Sequence, residues 1–560
     1  MDLKRYLLIG AIAVLSYMLL MEWSQFRTEH SAPVSNQAAP ALNNNSNATA
    51  ANSGFIPSET STQDDFPSAT ADQHSAPVAT VIPSANNIEV STDTLKVRIN
   101  PLGGDINFVA LPKHYAAIDT PDQPFVLLEQ GPVRTYIAQS GLIGKNGTDT
   151  RKGRPLFSSA QQQYQLQQGA DELVVDLQLT TADNVNITKR FTFKRGKYVI
   201  NVDYLINNGS AQNWSAGMFG QLKRDSSKDP GADTSGMGMA PYLGAAFTLV
   251  DEPYKKVSFD DMAETPYKDT RQGGWAALIQ HYFLSAWIPD PNATNSFSTV
   301  KTADGFNLIR FTGPAVEVAP GQQATISSRF YAGPKDQYKL EEISPGLELS
   351  VDYGFLWLPA QGLFWLLTKI HALFGNWGAA IIGVTLLVKA AFFQLNAKAY
   401  TSMANMRKVQ PKLLALRERY ADDKAKQSQA MMKLYKDEKI NPLGGCLPIL
   451  VQMPVFISLY WVLMESVELR HAPFMLWIND LSAMDPYFIL PLIMGVSMFI
   501  QQKLNPPPPD PMQAKVMQWM PVLFTFFFLF FPAGLVLYWV VNNVLSIAQQ
   551  YVITKRIENS

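Results

Sequence analysis

The sequence has 560 residues, too many for a single core and enough for about three to four domains. Its net charge of −1 at pH 7 hides opposite charges that are segregated by region, so net charge gives no reason to expect a nucleic-acid partner. The single cysteine, Cys446, excludes an intramolecular disulfide, and any exported domain must therefore be stable through core burial alone.

The chain opens with an apolar run at residues 6–21 behind two basic residues. Such a run is either a signal peptide or a short membrane anchor. The residues that follow lack a small-x-small cleavage pattern and include Trp23, which suits a membrane interface. We predict a retained anchor helix at residues 1–23, and cleavage near Ala32 is the weaker alternative.

A low-complexity segment and a strand-rich segment come next. Residues 24–87 are rich in Ser, Asn, Ala, Thr, Gln and Pro, which cannot bury enough apolar surface to offset the entropy of ordering the backbone, so they predict a flexible tether. Alternating apolar and polar residues then begin at Ile88 and recur to Tyr331. They predict an all-β domain at residues 88–340, built as an extended β-sandwich.

The remainder of the chain has helical patterns. Leu356–Phe374 predicts an amphipathic helix within residues 350–375 that lies along a membrane surface, with packing against the β-domain as the alternative. Apolar stretches that predict membrane helices follow at 377–395, 447–464, 487–501, 516–531 and 533–553. With the anchor they make a polytopic bundle of six membrane helices, five of them in a core at residues 376–553.

Basic residues orient the predicted helices. The segment 396–446 carries eleven Lys and Arg residues, whereas the loop 465–486 has only Arg470 against four acids. Because cytoplasmic loops are enriched in Lys and Arg, the first segment is predicted to face the cytoplasm and the second to face outward. Both termini, including the tail at 554–560, are then cytoplasmic, and the β-domain is periplasmic in a bacterial inner membrane.

The cytoplasmic segment predicts a helical hairpin. Its first helix contains Pro411, and Asp422 and Asp423 supply a cap for the second. Its methionines indicate an adaptable apolar surface that contacts varied clients: Met403, Met406, Met431 and Met432. A methionine-filled seam inside a solvated hairpin explains them equally well, and the basic charge also suits anionic headgroups.

Lys389 lies in an otherwise apolar stretch at residues 381–393. It is about seven residues, or roughly 10 Å of helical rise, from the predicted end of its span. A lysine at the centre of a bilayer costs about 2.5–3.5 kcal/mol, so the ammonium needs a water-filled cavity, a partner, or a side chain that snorkels to the headgroups. Thr385, one turn earlier on the same face, favours the cavity.

The last predicted span has a polar stripe on one face. The stripe consists of Tyr538, Asn542, Ser546 and Gln549, with Trp539, Asn543 and Gln550 on the adjoining face. Hydrogen bonds that merely hold the helices together would explain some of these residues. Together with Lys389, the stripe predicts a hydrated cationic cavity open to the cytoplasm.

Signals for catalysis are absent from the sequence. The six histidines and one cysteine show no metal-ligand spacing, and neither a phosphate-binding glycine loop nor a Ser/His/Asp constellation can be nominated. We therefore expect no enzyme, metal or cofactor. Four aromatic residues could line a carbohydrate cleft, although core packing is the simpler role: Trp214, Trp275, Tyr282 and Trp287.

Motifs between Leu356 and Ile553 carry a family resemblance. They are Asn-Pro-Leu-Gly-Gly-Cys at 441–446, Gln-Met-Pro at 452–454, Asp-Pro-Tyr-Phe-Ile-Leu-Pro at 485–491, Asp-Pro-Met-Gln at 510–513 and Gly-Leu-Val-Leu-Tyr-Trp at 534–539. In these motifs the chain resembles the YidC membrane-protein insertase family. The anchor, tether and outer β-domain resemble its Gram-negative form.

The resemblance implies a helical groove that is open to cytoplasm and lipid and closed to the periplasm. It also implies a β-supersandwich related to sugar-modifying mutarotases, and no nucleotide chemistry. Lys389 stands where the family commonly has arginine. Lysine keeps the positive charge but lacks the paired N–H donors with which a guanidinium binds an acceptor in bidentate fashion. Thr385 and Tyr538 match groove residues, while Trp539 stands where relatives often carry a second tyrosine.

We therefore predict a membrane-protein insertase whose groove contains Lys389, Thr385, Tyr538, Trp539 and Asn542. Expected partners are nascent membrane proteins, the lipid bilayer and the Sec translocon, with the ribosome as a further candidate and no direct nucleic-acid contact.

The alternative function is a transporter or channel with a periplasmic sugar-binding domain. A conduit would expose Lys389 to water from both sides, whereas insertion needs access from one side. A membrane-anchored sugar enzyme is a weaker rival, because its anchor would not need five further spans.

Overall fold

The computed structural model describes residues 87–151, 153–231, 241–248, 253–421, 423–438, 447–505 and 511–558. The predicted anchor and all but the last residue of the predicted tether lie outside the described residues, as does the end of the predicted hairpin at 439–446.

The first described region is built from two β-sheets. The ten-stranded sheet consists of β1 (Ile88–Ser91), β2 (Lys96–Asn100), β3 (Asp105–Tyr115), β4 (Pro124–Gln130), β5 (Thr135–Ile143), β7 (Gln163–Gln165), β11 (Trp214–Arg224), β14 (Lys268–Gln272), β17 (Thr294–Lys301) and β18 (Asn307–Val318). The nine-stranded sheet consists of β6 (Ser158–Ser159), β8 (Glu172–Thr180), β9 (Val185–Lys194), β10 (Val199–Asn208), β12 (Gly244–Phe247), β13 (Lys255–Ser258), β15 (Ala276–Ile279), β16 (Phe283–Pro289) and β19 (Gln323–Pro334). The strand orders are β14-β17-β18-β11-β5-β4-β3-β2-β1-β7 and β13-β12-β15-β16-β19-β10-β9-β8-β6.

Alternating side chains explain how the sheets share a core. In β9 every second residue from Val185 to Phe193 is buried, because successive side chains of a strand point to opposite faces. Strand β10 pairs antiparallel with both β9 and β19, which fixes the register at the centre of its sheet. The predicted large β-domain of two sheets is therefore confirmed.

The four aromatic residues considered for a carbohydrate cleft are buried in this core. They are Trp214, Trp275, Tyr282 and Trp287. Trp287 Nε1 donates a hydrogen bond to Gln221 O at 3.2 Å, and its ring packs against Phe330 with centroids 4.8 Å apart. Their role is core packing.

Ten helices follow the chain through the described residues. They are α1 (Asp261–Glu264), α2 (Gln337–Ile343), α3 (Trp357–Phe374), α4 (Trp377–Ala391), α5 (Phe393–Arg419), α6 (Lys424–Asp437), α7 (Leu447–Glu465), α8 (Ile489–Leu504), α9 (Pro511–Phe528) and α10 (Ala533–Glu558). Short 3-10 helices occur at Leu347–Ser350, Gly354–Leu356 and Val467–Leu469. Gly375 ends α3 in the left-handed conformation that glycine adopts readily, with φ 65°.

One predicted span has a different end. The sequence predicts a helix at 377–395, but α4 stops at Ala391 and the chain turns by 67° into α5. Phe392 sits between them with φ −92° and ψ 9°, and its backbone N–H still donates to Val388 O. The apolar side chains of Phe392, Phe393 and Leu395 extended the predicted span, although hydropathy does not report a bend in the backbone. Lys389 therefore lies in the last turn of α4.

A helix can cross a membrane only if it is long enough and apolar enough. Within the described ranges, no single helix is both long and apolar enough to cross a membrane, whereas the bent pair Trp377–Ala391 and Phe393–Arg419 passes the test together. The bundle of six membrane helices is thus not confirmed and stays a prediction.

Helices α3, α4, α7, α8, α9 and α10 share a second core, separate from that of the β-domain. Helix α3 buries Phe364, Leu367 and Ile370 in this core and leaves Trp357, Leu358, Trp365, Leu373 and Phe374 exposed. It therefore packs on the helical region with one side and presents apolar side chains on the other. Its position on a membrane surface stays a prediction.

Two polar contacts join the β-domain to the end of α7. Lys335 Nζ forms a buried ion pair with Glu465 Oε2 at 2.6 Å. His281 Nε2 donates to Met464 O at 2.8 Å, and burial lowers the pKa of this histidine, which keeps its imidazole neutral. The junction is therefore built from specific, desolvated contacts.

Candidate functional site: a polar cluster between three helices

Lys389 is buried where α4 meets α10. Its side chain is only 9% exposed, and its ammonium donates to Ser546 Oγ at 2.7 Å. Ser546 Oγ in turn donates to Asn542 O, one turn earlier in α10, also at 2.7 Å. The side chain thus turns toward α10 in this structure, so snorkelling is not the arrangement adopted here.

Within the described residues, no ion pair neutralises the positive charge of Lys389. Among the described residues, no carboxylate acts as a charge partner of its ammonium. A lysine ammonium has three N–H donors, and Ser546 is a neutral acceptor. Charge and donor capacity are therefore available to an acceptor that reaches this position.

Gln452 links α7 to the same face of α10. Its side-chain amide donates to Asn542 Oδ1 and lies 3.4 Å from Tyr538 Oη. Tyr538 and Asn542 are both buried. The cluster formed by Lys389, Gln452, Tyr538, Asn542 and Ser546, called the polar cluster below, thus spans α4, α7 and α10.

Thr385 and Trp539 contribute in other ways. Thr385 is buried, but its hydroxyl donates to Ile381 O in its own helix at 2.7 Å, so the hydrogen is already used. The Trp539 ring packs against Phe456 and Phe528, with centroids 4.8 and 5.3 Å apart. Its Nε1 is buried and has no acceptor in the described part of the chain. Trp539 therefore acts mainly through ring packing in this arrangement.

The remaining polar residues of α10 hold helices together. Asn543 Nδ2 donates to Ser497 Oγ of α8 at 3.0 Å, and Gln550 Nε2 donates to Asn505 Oδ1 just after α8 at 2.8 Å. Gln549 Nε2 donates to Phe393 O at 3.1 Å. The predicted stripe thus divides into a part that meets Lys389 and Gln452 and a part that serves helix packing.

The space beside Lys389 is small. A cavity of about 10 Å³ is lined by Val388, Lys389, Phe392, Asn396, Val451 and Gln452. A volume of roughly 10–15 Å³ is the minimum that holds one water molecule. The polar cluster is therefore closed in this structure. A polypeptide could enter it only after the helices separate.

The predicted hairpin residues lie on α5 and α6. Asp423 caps α6 by accepting from the backbone N–H groups of Ala425 and Lys426, which confirms the predicted cap at this residue. Met403, Met406 and Met431 are half-buried, whereas Met432 is 71% exposed. The methionines therefore divide between the two explanations, and Met432 is the one open to a partner. Contact of any of them with a client stays a prediction.

Sequence reasoning did not select two residues of the polar cluster for the groove. Gln452 belongs to the Gln-Met-Pro motif, and a glutamine inside an apolar stretch is itself a signal of a polar interior site. Ser546 was placed in the stripe, but the pairing of its hydroxyl with Lys389 depends on how α4 and α10 pack. Asn396, which lines the small cavity, gave no distinguishing signal in the sequence.

No candidate metal centre was found among the described residues, because no three His, Cys, Asp or Glu side chains converge there.

Comparisons with known proteins match the whole length of the chain. The family described as YidC periplasmic domain matches residues 87–366, and the family described as 60Kd inner membrane protein matches residues 369–560. A protein of Pseudomonas putida (strain GB-1) named membrane protein insertase YidC is 55% identical over 559 residues, covering 100% of this chain and 99% of that protein. The chain belongs to the YidC membrane-protein insertase family.

Other members and two solved structures were also found. YidC proteins of Pseudomonas fluorescens (strain SBW25) and Cellvibrio japonicus are 56% and 55% identical, each covering 100% of this chain and 99% of the relative. A crystal structure of an active YidC insertase is 19% identical, covers 83% of this chain and 92% of its own, and has a TM-score of 0.38. A galactose mutarotase related enzyme from Lactobacillus acidophilus is 11% identical, covers 44% of this chain and 97% of its own, and has a TM-score of 0.30.

Proposed function

We propose that this chain inserts and folds integral membrane proteins by receiving a polar segment of the client at the polar cluster. The observation that carries this proposal is a buried ammonium, Lys389, held by a neutral hydroxyl and without a carboxylate partner among the described residues. Isolated cations are costly in apolar surroundings and are retained where they act on a ligand. Full-length similarity to named insertases supports the same function.

We propose that the closed polar cluster opens at the bend between α4 and α5. Phe392 lies at that bend and lines the small cavity together with Lys389. Movement of the α5–α6 hairpin away from α7 would widen the cavity toward the cytoplasm. A short polar tail of the client then exchanges its hydrogen bonds with water for hydrogen bonds with the ammonium of Lys389, the amide of Gln452 and the hydroxyl of Ser546. Because the tail enters at the polar cluster, it does not cross the full thickness of the hydrocarbon layer.

The apolar segment of the client leaves along α7 and α9. These helices expose large apolar side chains: Leu450, Met453, Val516, Trp519, Leu523 and Phe526. Contiguous apolar surface of this kind suits contact with lipid or with another apolar helix. Burial of about twenty apolar residues in the bilayer supplies the driving force, and the membrane potential adds about 2.3 kcal/mol per 100 mV for each negative charge that moves outward.

We propose that the chain crosses the inner membrane with both termini in the cytoplasm and the β-domain in the periplasm. The eleven basic residues of 396–446 support a cytoplasmic hairpin. The proposed partners are nascent membrane proteins, lipid, the Sec translocon and the ribosome. No cofactor takes part in the proposed mechanism.

A stalled client in membrane vesicles tests the proposal. The client carries a photoreactive residue in its polar tail, and crosslinked peptides are identified after illumination. We expect labelling in α4, α7 and α10 around Lys389, Gln452 and Asn542, while a matched soluble nascent chain gives none. Labelling confined to the β-domain would contradict insertion through the polar cluster. Water access to Lys389 from both sides of the membrane would instead favour a conduit.

A further inference from the structure

A second cavity lies at the junction of the β-domain and α7, away from the polar cluster. Its volume is about 270 Å³, and its lining includes Tyr242, Tyr254, Lys256, Ser350, Asp352 and Trp461. Pockets for small molecules measure about 300–1,000 Å³, so this space suits a compact polar group. Three parts of the chain build it: the β-domain with the residue that follows its last strand, the segment from Ser350 to Asp352, and the end of α7. We call it the junction cavity.

Three hydrogen-bond donors of this lining have no acceptor among the residues that the structure describes. Tyr254 Oη, Ser350 Oγ and Trp461 Nε1 are each buried and unpaired within the described ranges of the chain. Burial raises the pKa of Tyr254 well above its ordinary value, so its hydroxyl stays protonated. Leaving one buried donor unpaired costs about 1–3 kcal/mol, and folded proteins contain few such groups. Three unpaired donors around one cavity indicate a ligand with acceptor oxygens.

The charges around the junction cavity are balanced. Lys256 pairs with Asp352, and Lys335 pairs with Glu465. The Lys256 ammonium also lies over the rings of Tyr242 and Tyr254, at 4.9 and 5.8 Å from their centroids. Because each cation of the lining is paired with a carboxylate, the lining neither attracts nor repels a simple anion strongly. It suits a zwitterion, whose phosphate meets the free donors while its ammonium meets the carboxylates and aromatic rings.

The neighbouring surface is apolar, which favours an amphiphile over a free solute. Three residues after Asp352, Phe355 is 79% exposed, and Trp357 and Leu358 are exposed immediately beyond it. These side chains continue into the exposed side of α3. Aromatic residues of this kind are typical of the boundary between headgroups and hydrocarbon. A ligand with a polar head in the cavity could therefore lay its chains along this apolar surface.

We propose that the junction cavity binds the headgroup of a zwitterionic phospholipid that carries a phosphate and a primary ammonium. The phosphate accepts hydrogen bonds from Tyr254, Ser350 and Trp461, and the acyl chains follow the exposed apolar side chains after Asp352. Bound lipid would then tie the β-domain and α7 to the outer leaflet of the bilayer.

Native mass spectrometry of the full-length protein in detergent tests this proposal. The protein is titrated with phosphatidylethanolamine, with phosphatidylglycerol of the same acyl chains, with O-phosphoethanolamine and with inorganic phosphate. We expect one phosphatidylethanolamine molecule to be retained with roughly tenfold preference over phosphatidylglycerol, as one or two added hydrogen bonds would give. Equal retention of the two lipids would overturn the zwitterion assignment, and retention of the free solutes without the lipid would overturn the lipid assignment.

Three substitutions remove the donors: Tyr254→Phe, Ser350→Ala and Trp461→Phe. The first two keep most of the side-chain shape, whereas the third also removes one ring of the indole. We expect the triple variant to lose retention of phosphatidylethanolamine, because the three donors bind its phosphate. The melting temperature of the double variant Tyr254→Phe with Ser350→Ala should stay equal or rise in lipid-free detergent, because this variant loses only unpaired polar groups. Trp214→Phe is the matched control, since Trp214 Nε1 is also buried and unpaired in the described chain but lies in the β-domain core away from this cavity. Unchanged retention of phosphatidylethanolamine by the triple variant would refute the site, and Ser350→Ala alone gives the same test should the triple variant fold poorly.

Discussion

Glu465→Gln should loosen the junction between the β-domain and the helical region. Lys335 and Glu465 approach to 2.6 Å, and their side chains are only 2% and 8% exposed. Glutamine keeps the shape of the side chain and can still accept a hydrogen bond, but it cannot neutralise the ammonium. The variant therefore leaves a buried cation without a counter-charge.

The expected cost follows from that burial. Breaking a buried ion pair by removing one partner destabilises proteins by about 3–5 kcal/mol, and we expect the lower end because the amide still accepts a hydrogen bond. A loss of about 3 kcal/mol corresponds to roughly 100-fold in an opening equilibrium. The change should be local, since the β-domain and the helices keep their separate cores.

Hydrogen–deuterium exchange of the full-length protein measures this opening. Peptides that contain His281, Met464 and Glu465 should exchange roughly 100-fold faster in Glu465→Gln, while peptides from β9 and β10 keep their wild-type rates. The double variant Lys335→Met with Glu465→Leu should restore slow exchange, because apolar replacement of a buried pair is often neutral or stabilising.

Asp176→Asn is the matched control. It breaks the Arg190–Asp176 pair, whose side chains are about one third exposed, and exposed pairs contribute only about 0–1 kcal/mol. Wild-type exchange at the junction in Glu465→Gln, or equally fast exchange in the single and double variants, would refute the assigned role of the buried pair.

Three further predictions concern other parts of the chain. Burial raises the pKa of Glu468 to about 7, so its contribution to stability is present below its ordinary pKa of 4.5 and is lost as the pH rises through 7. Glu468→Gln should therefore raise stability near pH 8 by about 3 kcal/mol and change little near pH 4, and equal effects at both pH values would exclude this carboxyl. Residues 88–334 expressed alone should melt cooperatively with a β-type circular dichroism spectrum, and a helical spectrum would contradict the assignment. Protease added to intact spheroplasts should leave residues 396–446 uncut, and cleavage there would reverse the proposed topology.

The β-domain was predictable because strand alternation is local. Strands such as β9 and β10 show their buried face as alternation in the sequence, whereas β15 and β16 are buried at every residue and show none. The order of the strands was not predictable, because it depends on contacts between distant residues such as those of β10 and β19. Core packing was also the simpler prediction for Trp275 and Trp287, and both are buried in the core.

The helical region was predictable in its elements and less so in its geometry. Pro411 and Asp423 occupy the positions expected for the hairpin helices. The bend at Phe392 was missed, because apolar residues continue through it and hydropathy does not detect a change in backbone direction. The bend also changes the position of Lys389, from the interior of a span to the last turn of α4.

The candidate site was predictable by residue type and not by pairing. An isolated lysine and a polar stripe in apolar helices identified Lys389, Tyr538 and Asn542. The sequence could not show that Ser546 is the acceptor for Lys389, or that Gln452 is the link to α7, because both pairings require the packing of helices that are distant in the chain. Thr385 matched the family pattern, yet its hydroxyl is used within α4.

The most direct test of the proposed function is the rate of client insertion into proteoliposomes as a function of the charge at residue 389. Clients that differ only in the number of acidic residues in the polar tail are compared between wild type, Lys389→Arg and Lys389→Ala, with Lys503→Ala as a control that removes an exposed cation from α8. We expect Lys389→Arg to retain insertion, and Lys389→Ala to lower the rate roughly tenfold for acidic tails and less for neutral ones, as a loss of about 1.4 kcal/mol of attraction would give. Wild-type insertion of every acidic-tailed client by well-folded Lys389→Ala protein would contradict insertion through a cationic groove.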